Sequence, residues 1–284
     1  MNGVTAPIGQ TPAMRRVLLT GASGDIGTRL RKLLKPLYPE LILSDIRKPD
    51  DLVRGETFIQ ADLADAAAVH AMMKNIDGIV HLGGYSGEGS WDAILNANII
   101  GAYNVFEAAR LARVQRIVFA SSNHAVGFYP RSTTIGVDAH VLPDSRYGVS
   151  KVFGEALAAL YAYKHGLGAL CIRIGNLNDH PIDERRLAIW LNPDDLVSLI
   201  RIGLERQGLV YEIVYGMSDN ARAWWDNARA YELGYQPKGR AGDHVERAMA
   251  AQRGIAPNPV ADAFQGGAFC SDQFSFDLAK IKSN

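Results

Sequence analysis

The run Arg16-Val-Leu-Leu-Thr20 leads straight into Gly21-Ala-Ser-Gly24-Asp-Ile-Gly27. This junction restricts the chain more than any other feature. A short apolar strand, glycines three apart and a helical pattern over 26–35 read as the first βα turn of a nucleotide-binding unit. The first glycine permits the tight turn. The second lets backbone approach a pyrophosphate, and the third lets helix and strand pack closely. The helix start offers unpaired N–H groups and a partial positive charge. Gly21, Ser23, Gly24, Asp25 and Ile26 are the expected contacts. Pro36 stops the helix.

Leu41-Ile-Leu-Ser44 reads as a second strand, and Asp45 ends it. A carboxylate there can accept both ribose hydroxyls of a dinucleotide and repels a 2′-phosphate. NAD is therefore expected over NADP, with Arg47 nearby to soften the preference. Further strands are expected at 57–60, 78–82, 116–120, 169–174 and 210–214, and helices at 65–74, 93–112, 192–207 and 241–252. The apolar runs are continuous rather than alternating, as in strands buried on both faces. Strand–helix repetition of this kind predicts an α/β fold with a doubly wound, parallel, Rossmann-type sheet.

Tyr147-Gly-Val-Ser-Lys151 places a phenol and an ammonium on one helical face. A nearby cation is expected to lower the phenol's pKa, so Tyr147 can accept a proton from a substrate hydroxyl as hydride leaves the carbon. Lys151 can also hold the cofactor ribose. Ser122, in Ser121-Ser122-Asn123-His124 beyond the fifth strand, is the expected hydroxyl donor to the substrate oxygen. That strand edge is where open α/β sheets bind ligands.

Lys and Arg together number 30, as do Asp and Glu, so no net charge draws the chain to nucleic acid or an anionic membrane. No run reaches the roughly 20 apolar residues of a membrane span, and 1–14 lacks the apolar core of a signal peptide. A cytoplasmic protein is expected. Two cysteines make no disulfide framework, and Cys171 reads as a small buried hydrophobe. No His, Asp or Glu cluster has metal-ligand spacing, so no metal is expected. Residues 1–14 are expected to be a disordered lead, and 15–175 the dinucleotide-binding core. Residues 176–284 would form substrate-covering segments and a C-terminal tail on the same domain. Phe264, Phe269, Phe274 and Phe276 in that tail should pack on the body or on a neighbouring subunit.

The glycine turn, Asp45, Ala61-Asp62-Leu63, His81-Leu82-Gly83-Gly84, Asn98 in Asn-Ile-Ile-Gly-Ala-Tyr-Asn, Ser121-Ser122 and Tyr147-x-x-x-Lys151 together resemble the extended short-chain dehydrogenase/reductase family. The resemblance spans about 16–250. It implies that Asp62 and Leu63 cover the adenine, that Leu82 and Gly83 line the cofactor path and that Asn98 supports it. Within the family, His-Leu-Gly-Gly-Tyr-Ser86, Ser122-Asn123-His124-Ala-Val-Gly, Ile-Arg-Ile-Gly-Asn176 and Glu184-Arg185-Arg186-Leu-Ala-Ile-Trp190 are most similar to the bacterial uronate dehydrogenases. That branch implies NAD-dependent oxidation of galacturonate or glucuronate at C1, giving an aldarolactone, and a homo-oligomer. Ser86, Ser122, Asn123, His124, Tyr147, Asn176 and Arg185 would surround the sugar acid, with Asn176 standing where the branch has serine. A guanidinium forks onto a carboxylate, so Arg185 is the expected carboxylate contact, with Arg186 as its competitor. Two rivals remain: a nucleotide-sugar epimerase or dehydratase using the same Tyr–Lys pair, and an NAD sensor without chemistry, from which that pair tends to be lost.

Overall fold

The computed structural model describes residues 14–282. The expected lead lies outside them except for Met14, whose side chain is buried in the core. Seven strands form one sheet: β1 (Arg16–Thr20), β2 (Glu40–Asp45), β3 (Thr57–Gln60), β4 (Gly78–His81), β5 (Arg116–Ser122), β6 (Gly168–Ile174) and, after a short excursion, Tyr211–Gly216. They run in the order β3-β2-β1-β4-β5-β6 with Tyr211–Gly216 last, and every pairing is parallel. The chain winds outward in opposite directions from β1 and β4, and the crevice between them is where such sheets take ligands.

The continuous apolar strands are covered on both sides. Val17 and Leu19 face one core with α1 (Asp25–Leu34) and the helix Pro193–Glu205. Leu18 faces the other, with α2 (Ala66–Met72), α3 (Gly101–Leu111) and α4 (Arg146–His165). Cys171 is fully buried in that second core. Burying the strands on both sides is what makes their sequence read as unbroken apolar runs rather than alternation.

Local chemistry sets the helix ends. Asp65, expected inside the first turn of α2, is instead its cap, and its Oδ1 accepts from Ala67 N and Ala68 N. Ser145 caps α4 through Gly148 N. Gly166 closes α4 at φ 73°, a left-handed position that glycine fills without steric cost. The helix expected over 93–112 starts earlier, at Trp91, and contains a π-helical turn, Leu95–Ile100. The strand expected to stop at Ala120 runs on to Ser122.

Three side chains tie this sheet to α4. Arg173 on β6 makes two hydrogen bonds of 2.9 Å to Glu155 on α4, and Ser121 Oγ donates to Glu155 Oε1 at 2.6 Å. Arg173 and Glu155 are both almost wholly buried. Removing one member of a buried pair strands the other. Glu155→Ala should therefore cost about 3–5 kcal/mol in urea unfolding. The double replacement Glu155→Met with Arg173→Leu should cost less than the single one.

Candidate active site

A cavity of about 770 Å³ opens along the carboxyl ends of the strands. Its floor is the glycine turn. Gly21 has φ +70°, and a Cβ there would lie 2.8 Å from Gly83 N. A Cβ on Gly27 would lie 2.1 Å from Gly21 O. Gly24 caps α1 without a side chain, so the first-turn amides of Asp25 and Ile26 face the cavity free of any capping side chain. Ser23 lines the same wall, but its own groups are engaged: its N–H donates to Asp45 Oδ2 at 3.0 Å and its Oγ to Arg47 O. That bond holds the β2 carboxylate at the turn.

Asp62, Leu63, Leu82 and Gly83 continue this wall. Gly83 N donates to Thr20 Oγ1, whose hydroxyl meets His81 Nδ1 at 2.8 Å. Burial holds the His81 imidazole down to about 3, with the nearby Lys151 charge acting in the same direction, so it is neutral. Asn98 stands behind this wall. It does not line the cavity; from the π-helical turn it bonds Tyr85 N, Tyr85 O and Ser150 Oγ. These bonds brace the loop after Gly84 from behind the cavity wall.

The far half of the cavity gathers Ser86, Ser122, Asn123, His124, Tyr147, Lys151, Asn176 and Arg185, which four separate chain segments contribute. Lys151 Nζ donates to Ala120 O at 2.8 Å and lies 5.2 Å from the centroid of the Tyr147 ring. Burial depresses the lysine to about 8. The expected lowering of the phenol is not found. Burial pushes Tyr147 up to about 12, Asp144 adds to this, and only the hydrogen bond with Ser122 pulls it down. The hydrogen bond that Lys151 makes goes to a carbonyl.

Asn123 Nδ2 and Asn176 Oδ1 are buried without partners, leaving one donor and one acceptor at the cavity. Buried polar atoms are seldom left so, and a polyhydroxylated ligand would satisfy both. His124 Nδ1 meets Asp144 Oδ2 at 2.7 Å, so its Nε2 is the nitrogen left for a ligand. Phe269 stacks on the imidazole with centroids 3.8 Å apart. The two arginines separate clearly. Arg186 is ion-paired with Asp183. Arg185 donates twice to the Gln265 carbonyl, and among the described residues it has no carboxylate within salt-bridge distance. Burial, with Arg186 and Arg131 close by, holds Arg185 down to about 9, so it remains a cation at neutral pH.

Asp144, Gln265 and Phe269 gave no functional signal in the sequence. Asp144 acts through a histidine 20 positions away and Gln265 through an arginine 80 positions away. Phe269 was conspicuous only as one of the tail phenylalanines. No group of three His, Cys, Asp or Glu residues among the described residues has the arrangement of a metal site. None of the described helices is long and apolar enough to cross a membrane.

The sequence matches a family model described as the NAD dependent epimerase/dehydratase family over residues 17–180. It is 45% identical over 261 residues to the uronate dehydrogenase of Pseudomonas putida, covering 91% of this chain and 97% of that protein. A uronate dehydrogenase variant from Agrobacterium tumefaciens, solved with NAD, superposes with a TM-score of 0.87 at 43% identity, covering 91% of this chain and 98% of that one. The glucuronic acid dehydrogenase of Chromohalobacter salexigens superposes with a TM-score of 0.86 at 44% identity, covering 90% and 97%.

The buried Lys151 has a consequence for stability. Its folded pKa lies near 8, below the ordinary 10.5, so burying the charged form weakens the fold at neutral pH. That penalty fades as pH rises through about 8 to about 10.5, where the lysine is neutral in both states. Lys151→Met should melt higher than the wild-type chain at pH 7, and the gap should close towards pH 10.

Proposed function

The chain belongs to the NAD dependent epimerase/dehydratase family, and from that membership we propose that it oxidises C1 of a hexuronic acid, galacturonate or glucuronate, with NAD. The glycine turn suits such a cofactor: the contact with Gly83 leaves no room for a Cβ at Gly21, and backbone can approach a pyrophosphate. Gly21, Gly24, Asp25 and Ile26 would hold the phosphates, Asp45 the adenosine ribose, Asp62 and Leu63 the adenine, and Leu82 and Gly83 the path between. When bound, NAD supplies the carbon that accepts hydride.

The chain's own groups do the rest. Tyr147, as its phenolate, takes the proton of the C1 hydroxyl while Ser122 orients that oxygen. Lys151 keeps a positive charge against the Tyr147 ring and reaches the ribose. The C1 hydrogen leaves as hydride and its hydroxyl proton goes to Tyr147, so C1 becomes a carbonyl. The pyranose ring stays closed, and the first product is a lactone. Ser86, Asn123, His124 Nε2 and Asn176 meet the remaining hydroxyls. Asn176 Oδ1 gives an acceptor where the related branch would offer a serine hydroxyl.

One observation carries the choice of a uronate: a buried guanidinium, Arg185, with no carboxylate partner among the described residues, in the same cavity as Ser122, Tyr147 and Lys151. A bidentate Arg–carboxylate pair answers that deficit. A nucleotide-sugar epimerase or dehydratase remains the second reading, because the Tyr–Lys pair serves both chemistries.

Mixing the protein with NAD and each uronate should produce NADH absorbance. Conversion of a nucleotide sugar with no rise on either uronate would overturn the reading. Tyr147→Phe should lower kcat about 10²- to 10⁴-fold while NAD binding persists. Arg185→Ala should raise the uronate KM and leave that of NAD nearly unchanged.

A further inference from the structure

The tail segment 265–269 reaches the substrate end of the cavity: Gly266, Ala268 and Phe269 line it, and Gln265 and Gly267 lie against Arg185. The Gln265 carbonyl accepts from Arg185 Nε at 3.0 Å and from Nη2 at 2.6 Å. A Cβ on Gly266 would lie 1.9 Å from Asp144 Oδ2, the atom that holds His124. A Cβ on Gly267, at φ +69°, would lie 2.6 Å from Arg185 Nε. Phe269 then stacks on His124. The tail backbone thus rests directly on the two side chains that face a sugar acid.

The Gln265 side chain anchors this backbone, beside the Gly266 N–H bond to Gly127 O at 2.8 Å and the Arg131 bond to Phe264 O. It is fully buried. Its Oε1 accepts from Trp225 Nε1 at 2.8 Å, and its Nε2 donates to Pro130 O at 3.1 Å and to Thr133 O at 2.8 Å. Its own N–H donates to Tyr129 O at 2.9 Å. A saturated amide in the core sets the place of the peptide that carries it, because any shift leaves buried groups unpaired.

We infer that Gln265 is a positioning residue for the substrate carboxylate: it locks the tail so that the Gln265 carbonyl aims the Arg185 guanidinium, two of whose N–H groups it takes, at the cavity. The inference rests on the uronate reading, in which Arg185 binds the carboxylate. It assigns the tail to sugar-acid recognition and gives it no part in holding the dinucleotide, whose wall is built from β1, β2 and β4.

The test is a double-mutant cycle measured with purified protein, NAD and galacturonate or glucuronate. Gln265→Leu should raise the uronate KM about tenfold, the size expected for about 1.4 kcal/mol. The NAD KM should stay within about twofold, the scatter of a site left untouched. On an Arg185→Ala background, Gln265→Leu should change kcat/KM for the uronate little further, because the two residues act as one unit. Should Gln265→Leu fail to fold, Trp225→Phe carries the same test: it removes one donor to Gln265 Oε1 and keeps an aromatic ring against Tyr215. An unchanged uronate KM, a parallel rise in both KM values, or an undiminished effect on the Arg185→Ala background overturns the positioning role. Absence of uronate oxidation by the wild-type chain instead overturns the uronate reading and the positioning role together.

Discussion

A lysine ammonium held under a sheet edge by a single carbonyl governs this site. Lys151 Nζ donates to Ala120 O at 2.8 Å, and no described carboxylate stands within salt-bridge distance. Such a charge is costly to bury, and it is tolerated because the fold fixes both partners. Ala120 lies on β5, between the sheet's switch point and the buried Ser121–Glu155–Arg173 cluster, while Lys151 lies on the first turns of α4. The same geometry sets Tyr147 one turn earlier, at the cavity wall beside Ser122. It also contributes to keeping His81 neutral, since a second cation behind β4 would repel the first.

The cavity has an electrostatic logic at each end. At one end lies the start of α1, whose first-turn amides carry no capping side chain. At the other lies Arg185, a buried guanidinium without a carboxylate among the described residues, while its neighbour Arg186 is neutralised by Asp183. A ligand set with phosphates at one end and a carboxylate at the other completes both. Between them, Asn123 Nδ2 and Asn176 Oδ1 await a donor–acceptor partner. This pattern separates a free sugar acid from a neutral sugar, which would leave Arg185 unanswered.

The sheet was legible because its information is local. Continuous apolar strands such as Arg16–Thr20 and Gly168–Ile174 announce burial on both faces, and the glycine spacing announces the turn after β1. Apart from Asn98, every residue expected at the site lines the one cavity. What escaped reading depends on contacts far apart in sequence. Nothing around Gln265 signals that its carbonyl meets Arg185, and nothing around Asp144 signals His124. Asn98 sits in a π-helical turn and bonds Tyr85 and Ser150, an irregularity that the residue types do not announce. The direction of the Tyr147 shift also escaped, because it depends on how deeply the fold buries the phenol and on Asp144, which lies outside the Tyr–Lys motif.

The proposed oxidation requires Tyr147 to ionise beside the bound dinucleotide. Ultraviolet difference titration of the wild-type chain against Tyr147→Phe, with and without saturating NAD, follows that one hydroxyl. The ligand-free phenol should ionise near 12, and the cationic nicotinamide ring should bring its ionisation to clearly lower pH. A phenolate signal that appears at the same pH in both states would contradict the central claim.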